Sequence, residues 1–278
     1  MFYVMIIPNR RVLMGGNGTR MRWAKDKDGQ GITVNVPLRE NLLNDLDERL
    51  RAGRGFTLAT LNLDHVAKLG QLPDFARAYR SHSHVTADGN PIVWLSRLAG
   101  QRVELIPGSE LVVPVAALAA ESGVPVALLG ATDEALSGAS ATLEARFPHL
   151  RIVARIAPAM GFDPAGPEAD DCIARLRASG AGLCFIALGA PKQEIFAARA
   201  SSELPHMGFL SIGAGLDFLS GRQRRAPKVM RLVAAEWLWR LALNPRRLAG
   251  RYAHCILILP RLFHQALSIR FRRIPGEA

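Results

Sequence analysis

The chain has 278 residues, 49% hydrophobic and 21% charged, enough for one sizeable core plus an appendage and too apolar for a disordered protein. Glycine follows no three-residue period and no unit repeats at fixed spacing, which excludes collagen and solenoid architectures. The net charge of +11 is confined to one end: residues 1–221 hold 22 basic and 22 acidic side chains, whereas residues 222–278 hold 13 basic and two acidic ones, Glu236 and Glu277.

In chain order, residues 1–31 read as an N-terminal leader or loop, ending in the Gly-rich stretches Gly15-Gly-Asn-Gly and Asp28-Gly-Gln-Gly. Leu42, Leu43, Leu46 and Leu50 then fall at helical spacing within Arg39–Arg51. Phe56–Asn62 reads as a buried strand, and six more strands are expected at His84–Ala87, Arg102–Ile106, Pro125–Leu129, Arg151–Ala154, Leu183–Leu188 and Phe209–Ile212. Helices are expected between them at Asp64–Tyr79, Pro91–Leu98, Ser109–Ser122, Asp133–Phe147, Pro167–Ser179 and Pro191–Ala200. This alternation predicts an α/β fold: a Rossmann-like, mostly parallel sheet with helices on both faces over residues 32–228. Residues 229–278 form a basic, amphipathic helical appendage in which Leu232, Val233, Trp237, Leu238, Leu241, Ile256, Leu257, Leu259, Leu262 and Phe263 alternate with arginines. Such an end calls for an anionic partner: nucleic acid, anionic lipid or a phosphorylated ligand. A basic amphipathic helix suits a membrane interface, and equally a helix hairpin packed on the body with solvated arginines.

No run reaches the roughly 20 apolar residues of a membrane span. Ala178–Pro191 is interrupted by Gly and Pro, and Tyr252–Pro260 is nine residues long. The apolar N-terminal run precedes Arg10 and Arg11, the reverse of a signal peptide's order. Cys172, Cys184 and Cys255 are odd in number and lack metal-ligand spacing, which fits core packing in a reducing compartment. A cytoplasmic protein touching a membrane without crossing it is the expectation.

Parallel α/β sheets bind ligands beyond the carboxyl ends of their strands, and four strand ends carry polar residues. The first holds Thr60, Asn62, Asp64 and His65; His65 there reads more simply as a local cap or packed imidazole. The second holds Asp88 before Gly89-Asn-Pro, where a carboxylate suits a general base and equally a turn or helix-cap aspartate. The sixth runs Leu188-Gly189-Ala-Pro-Lys192-Gln193-Glu194 into a helix. Free N–H groups there attract phosphate and Gln193 suits a nucleobase edge, while an ordinary Pro-started helix explains the same residues. The seventh runs Ile212-Gly213-Ala-Gly215-Leu-Asp217, in which the glycines serve a ligand or a turn and Asp217 a ribose, a base or a helix cap. No Walker loop, zinc spacing or Asp-x-Asp motif suited to holding a metal is present, which favours chemistry without a metal or other cofactor.

Taken together, Ala59-Thr-Leu-Asn-Leu-Asp-His65, Ala87-Asp-Gly89, Leu188–Glu194, Gly213-Ala-Gly-Leu-Asp-Phe218, Arg225-Ala-Pro227, Glu236-Trp-Leu-Trp-Arg-Leu241 and Pro245-Arg-Arg247 resemble the WecG/TagA/CpsF glycosyltransferases (glycosyltransferase family 26), in the family's order from about Ile32 to Tyr252. The resemblance implies an enzyme that transfers a hexose or N-acetylhexosamine from a UDP-sugar to a polyprenyl-diphosphate-linked sugar, with inversion. It would work at the cytoplasmic membrane face, in cell-wall, surface or exopolysaccharide synthesis. It further implies Asp88 as catalytic base, Thr60 and Asn62 in the substrate pocket, and Gly189, Lys192, Gln193, Gly213, Gly215 and Asp217 in the nucleotide-sugar motifs. Arg240, Arg247 and Arg251 would reach the donor diphosphate from an appendage that closes over the site. One departure stands out: where the family often has Arg-Val-x-Gly-x-Asp, this chain has Leu105-Ile-Pro-Gly108-Ser-Glu110. Two other classes remain open. A UDP-sugar-binding regulatory protein would survive loss of Asp88, and a nucleic-acid binder would interleave aromatics with its arginines, whereas Trp237 and Trp239 sit among aliphatics.

Overall fold

Aliphatic runs bounded by glycine and proline become strands buried on both faces, as parallel sheets require. The computed structural model describes residues 21–24, 30–222, 239, 241–242 and 245–272. Six strands, β1 (Phe56–Leu61), β2 (His84–Ala87), β3 (Val126–Gly130), β4 (Ile152–Ile156), β5 (Leu183–Ala187) and β6 (Gly208–Ser211), pair in parallel throughout, in the order β2-β1-β6-β5-β3-β4. β1 and β3 are buried along their whole length, whereas edge strand β4 alternates between covered and exposed residues.

Helices cover both faces. On one side α1 (Arg39–Arg51), α5 (Gly108–Ser122), α6 (Asp133–Arg146) and α9 (Gly215–Leu219) bury Leu42, Leu46, Val115, Leu136 and Leu216 against Leu58, Leu128, Phe185 and Leu210. On the other, α7 (Pro167–Ser179) and α8 (Lys192–Glu203) bury Ile173, Leu176 and Phe196 against Cys184, Ile186 and Phe209. Beside them α2 (Leu63–Leu69), α3 (Pro73–Ser81) and α4 (Asn90–Leu98) close over Leu61 and Val85 with Val66, Phe75, Tyr79 and Ile92. The same cluster takes in α10 (Pro245–Arg272), through Leu262, Ala266 and Ile269. Cys172, Cys184 and Cys255 are buried free thiols.

Three expectations are corrected. The strand expected at Arg102–Ile106 makes only a single parallel bridge, Leu105 to Ala87, because Pro107 turns the chain at once into α5. The helix expected over Asp64–Tyr79 is two helices, since the chain leaves α2 at Gly70 and Pro73 starts α3. Residues 21–24, expected in a loose leader, pack firmly: Trp23 bridges Ile32 in antiparallel fashion, and Met21 and Trp23 are buried in the core with β1, β2 and α10. Of the expected appendage, residues 245–272 form one helix docked on the body; Leu232, Val233, Trp237, Leu238 and residues 225–227 lie outside the described residues.

Candidate active site

The sheet order makes the four polar strand ends neighbours. β2, β1, β6 and β5 are consecutive and parallel, so the segments beginning at Asp88, Asn62, Ile212 and Leu188 leave the same edge side by side. With adjacent strands about 4.8 Å apart, the ends of β2 and β6 lie about 10 Å apart, and those of β2 and β5 about 14 Å.

Asp88 follows β2 directly. Its N–H donates to the Leu61 carbonyl (2.8 Å), extending the β1–β2 ladder by one residue. The next residue, Gly89, has φ +97°, a conformation that glycine permits at no steric penalty. The turn leaves Asp88 half-buried at the mouth of α4. Thr60, buried on β1, donates its hydroxyl to Asp88 Oδ2 (3.3 Å) and orients the carboxylate. Asn62 caps α2, its Oδ1 accepting from the His65 N–H (2.9 Å), and its Cβ faces Gly89.

Beneath these residues runs a buried polar chain that the sequence did not announce. His65 hydrogen-bonds the Thr60 backbone, and its Nδ1 stands 3.0 Å from the Tyr79 hydroxyl. Burial holds the His65 imidazole at about 4, so it is neutral at physiological pH. Burial raises the Tyr79 hydroxyl, with Glu194 and Asp88 adding to the effect.

At the other end, Gly189 (φ +72°) and half-exposed Lys192 lead into α8. Gln193 departs from its expected position: it is 3% exposed, its Nε2 donates to Glu194 Oε1 (2.8 Å), and its Oε1 accepts the Gly213 N–H (3.1 Å). The amide is thus engaged inside the protein and braces the turn after β6, where the expectation was a nucleobase edge. Gly215 is a packing residue as well, since a Cβ there would come within 2.9 Å of Val112 Cγ2. Asp217 is half-buried on α9, and burial raises its carboxyl against the pull of Arg222.

Cations reach this edge from three elements. Arg251 of α10 places its Nε 3.6 Å from Asp64 Oδ1, tying the appendage to the start of α2. Asp64 also holds Lys68 (2.7 Å), which reaches the Ala190 carbonyl (3.4 Å) in the β5–α8 loop. Arg240 lies outside the described residues, and of Arg247 only its place on α10 is described. The third cation, Arg39, was missed. Its guanidinium sits 3.5 Å from the Leu105 carbonyl and 3.1 Å from Glu110 Oε2, at the very turn where the resemblance leads one to look for an arginine. The available signal was an arginine at a helix start, where the macrodipole disfavours a cation; Glu104, accepting the Arg39 N–H (2.9 Å), offsets this.

Among the described residues, no group of three or more His, Cys, Asp or Glu could hold a metal ion, and no helix is long and apolar enough to cross a membrane. The model of the family described as "Glycosyl transferase WecG/TagA/CpsF family" matches residues 29–273, taking in every strand, every strand-end segment and the whole of α10. With Asp88, Thr60 and the two glycine turns brought to one edge of the sheet, and the match running across nearly the whole length, the chain belongs to the WecG/TagA/CpsF family of glycosyltransferases.

Proposed function

We propose that this glycosyltransferase moves a hexose or N-acetylhexosamine from a UDP-sugar to a polyprenyl-diphosphate-linked sugar, with inversion, at the inner face of the plasma membrane in surface-polysaccharide or cell-wall synthesis. The observation that carries the reading is the Thr60–Asp88 pair at the tips of β1 and β2, beside the Gly213 and Gly189 turns.

In this reading the donor diphosphate lies along the strand tips and the acceptor hydroxyl approaches Asp88. A sugar hydroxyl is a poor nucleophile, so Asp88 takes its proton as the oxygen attacks the anomeric carbon. Bond breaking places negative charge on UDP. Lys192 and arginines from α10, Arg247 and Arg251 with Arg240 ahead of them, stabilise that charge. Arginine suits the task, since its planar fork grips phosphate oxygens in pairs. Arg39, at the Leu105 turn, serves as a further phosphate contact.

The lipid partner is supported by α10's second face. Cys255, Leu262, Ala266 and Ile269 are buried in the body, while Ile256, Pro260, Phe263 and Phe271 form a separate exposed stripe, with Leu267 half-buried among them. Trp94 of α4, 56% exposed, stands on the neighbouring helix, and Leu95, Ile256, Leu259, Pro260 and Phe263 line a shallow apolar cleft between the two. Arg261 and Arg270 flank the stripe. An anionic leaflet favours each such cation by about 1 kcal/mol.

Incubating the full-length protein with a panel of labelled UDP-sugars and a short-chain polyprenyl-diphosphate-sugar tests the reading. Label transferred from one donor to the lipid supports it. Absence of transfer from every UDP-sugar, with transfer from another nucleotide-sugar, overturns the donor assignment.

A further inference from the structure

The first turn of α8 places two polar side chains inside the protein. Glu194 is wholly buried: Oε1 accepts from Gln193, and Oε2 has no hydrogen-bond partner among the described residues. β6 offers a second such group. Phe209 packs with α8, while Leu210 and Ile212 pack on the opposite face with α5, so alternation turns Ser211 toward α8. Ser211 Oγ is likewise buried without a hydrogen-bond partner among the described residues. A charged side chain hidden under a strand end calls for a reason, because burial of an unpaired carboxylate is expensive.

The hydrogen bonds supply one. An amide can present either its oxygen or its nitrogen to a neighbour. The Gly213 N–H needs an acceptor, so only one orientation of Gln193 serves, with the nitrogen directed away from Gly213. Glu194 Oε1 receives that nitrogen. Replacing the acceptor leaves the amide free to turn its NH2 toward the Gly213 N–H, a donor against a donor. We infer that Glu194 is a positioning residue for the β6–α9 turn: it fixes the Gln193 amide, which holds Gly213 by its N–H and so sets Gly213–Asp217 for the nucleotide-sugar. The ligand part of this inference rests on the function proposed above; the bracing itself does not.

The surroundings fit a brace rather than a proton donor to substrate. Tyr79 of α3 and Lys68 and Asp64 of α2 act on Glu194 electrostatically, and Gln193 shares its own helix. Burial pushes the Glu194 carboxyl up to about 7, with Gln193 and Lys68 pulling it down and Asp64 adding to the rise. Protonated or ionised, Glu194 retains an acceptor for Gln193. A protonated Oε2 supplies a donor on the face that carries Ser211 Oγ.

Hydrogen exchange in the full-length, ligand-free protein tests the bracing, and UDP calorimetry tests its use. Glu194→Gln keeps an acceptor and Glu194→Leu removes it; Gln193→Met removes the link from the other side. The expected result is that Glu194→Leu and Gln193→Met each speed exchange of the 212–217 amides about tenfold, the loss of one buried hydrogen bond. The double variant is no faster than either, and Glu194→Gln exchanges as the unaltered protein does. Glu194→Leu should also weaken UDP binding about tenfold, with Glu194→Gln restoring it. Unchanged exchange in Glu194→Leu, or equal acceleration in Glu194→Gln, overturns the inference. Should Glu194→Leu not fold, Gln193→Met beside Glu194→Gln decides alone: exchange unchanged in the first, or accelerated in the second, overturns it. If the unaltered protein binds no UDP, the donor assignment falls while the exchange result still decides the bracing.

Discussion

At the scale of single residues, the site is a half-buried carboxylate steered by a buried hydroxyl. Thr60 Oγ1 is the orienting donor to Asp88 Oδ2. Thr60→Val keeps the shape that packs near Gly108 and deletes the hydrogen bond. The expected outcome is a roughly tenfold lower kcat with little change in melting temperature, since one such bond contributes about 1 kcal/mol. Buried titratable groups also fix the acid behaviour. Burial holds His65 and His82 at about 4, below the ordinary 6.5. Their contribution is fully present above pH 6.5 and is lost as pH falls toward 4, because the unfolded chain takes up protons first. Glu194 acts oppositely: raised to about 7, it disfavours the folded state as pH rises from 4.5 to 7. Two histidines against one carboxyl leave a net loss on acidification, on the order of 2 kcal/mol between pH 6.5 and 4.5. Urea unfolding at those two pH values measures it; equal or greater stability at pH 4.5 contradicts the assignment.

At the scale of elements, strand ends were legible in the sequence and their supports were not. β1, β2, β5 and β6 announced themselves as aliphatic runs ending in small or polar residues, and the resemblance ordered them. The segment Arg102–Ile106 looked equally like a strand, yet its register depends on Pro37, whose carbonyl takes the Glu104 N–H, and on Pro107. Arg39 and Glu110 are 71 positions apart, and nothing local pairs them. Glu194 lies within a strand-end motif, but a glutamate in a first helical turn normally faces water and favours the dipole; only the strand beneath α8 shows that it is enclosed. α10 was legible as amphipathic, whereas its division into a docked face and an exposed one needs the body on which it packs. That division gives a prediction. Ile256→Ser with Phe263→Ser leaves the packed face of Leu262, Ala266 and Ile269 intact and removes apolar area from the exposed stripe. Sedimentation with anionic vesicles should show binding reduced at least tenfold with unchanged thermal stability, because each buried large side chain contributes about 1.5–3 kcal/mol. Unaltered vesicle binding would place the membrane contact elsewhere.

At the scale of the whole molecule, a parallel sheet gathers four chain segments at one edge, and a basic helix ties itself to that edge through Arg251 and Asp64. The charge asymmetry of the sequence acquires a physical sense in this arrangement. In the proposed reaction the neutral body supplies the carboxylate and the turns, and the end of the chain supplies cations for the departing diphosphate. The central claim is that Asp88 removes the acceptor's proton, and its most direct test is single-turnover transfer by Asp88→Asn alongside UDP calorimetry on the same protein. An asparagine keeps the shape and an acceptor for Thr60 but cannot take the proton, so the rate should fall by about 10²–10⁴-fold while UDP affinity stays within about threefold. Transfer by Asp88→Asn at the unaltered rate, with UDP bound normally, would contradict the account.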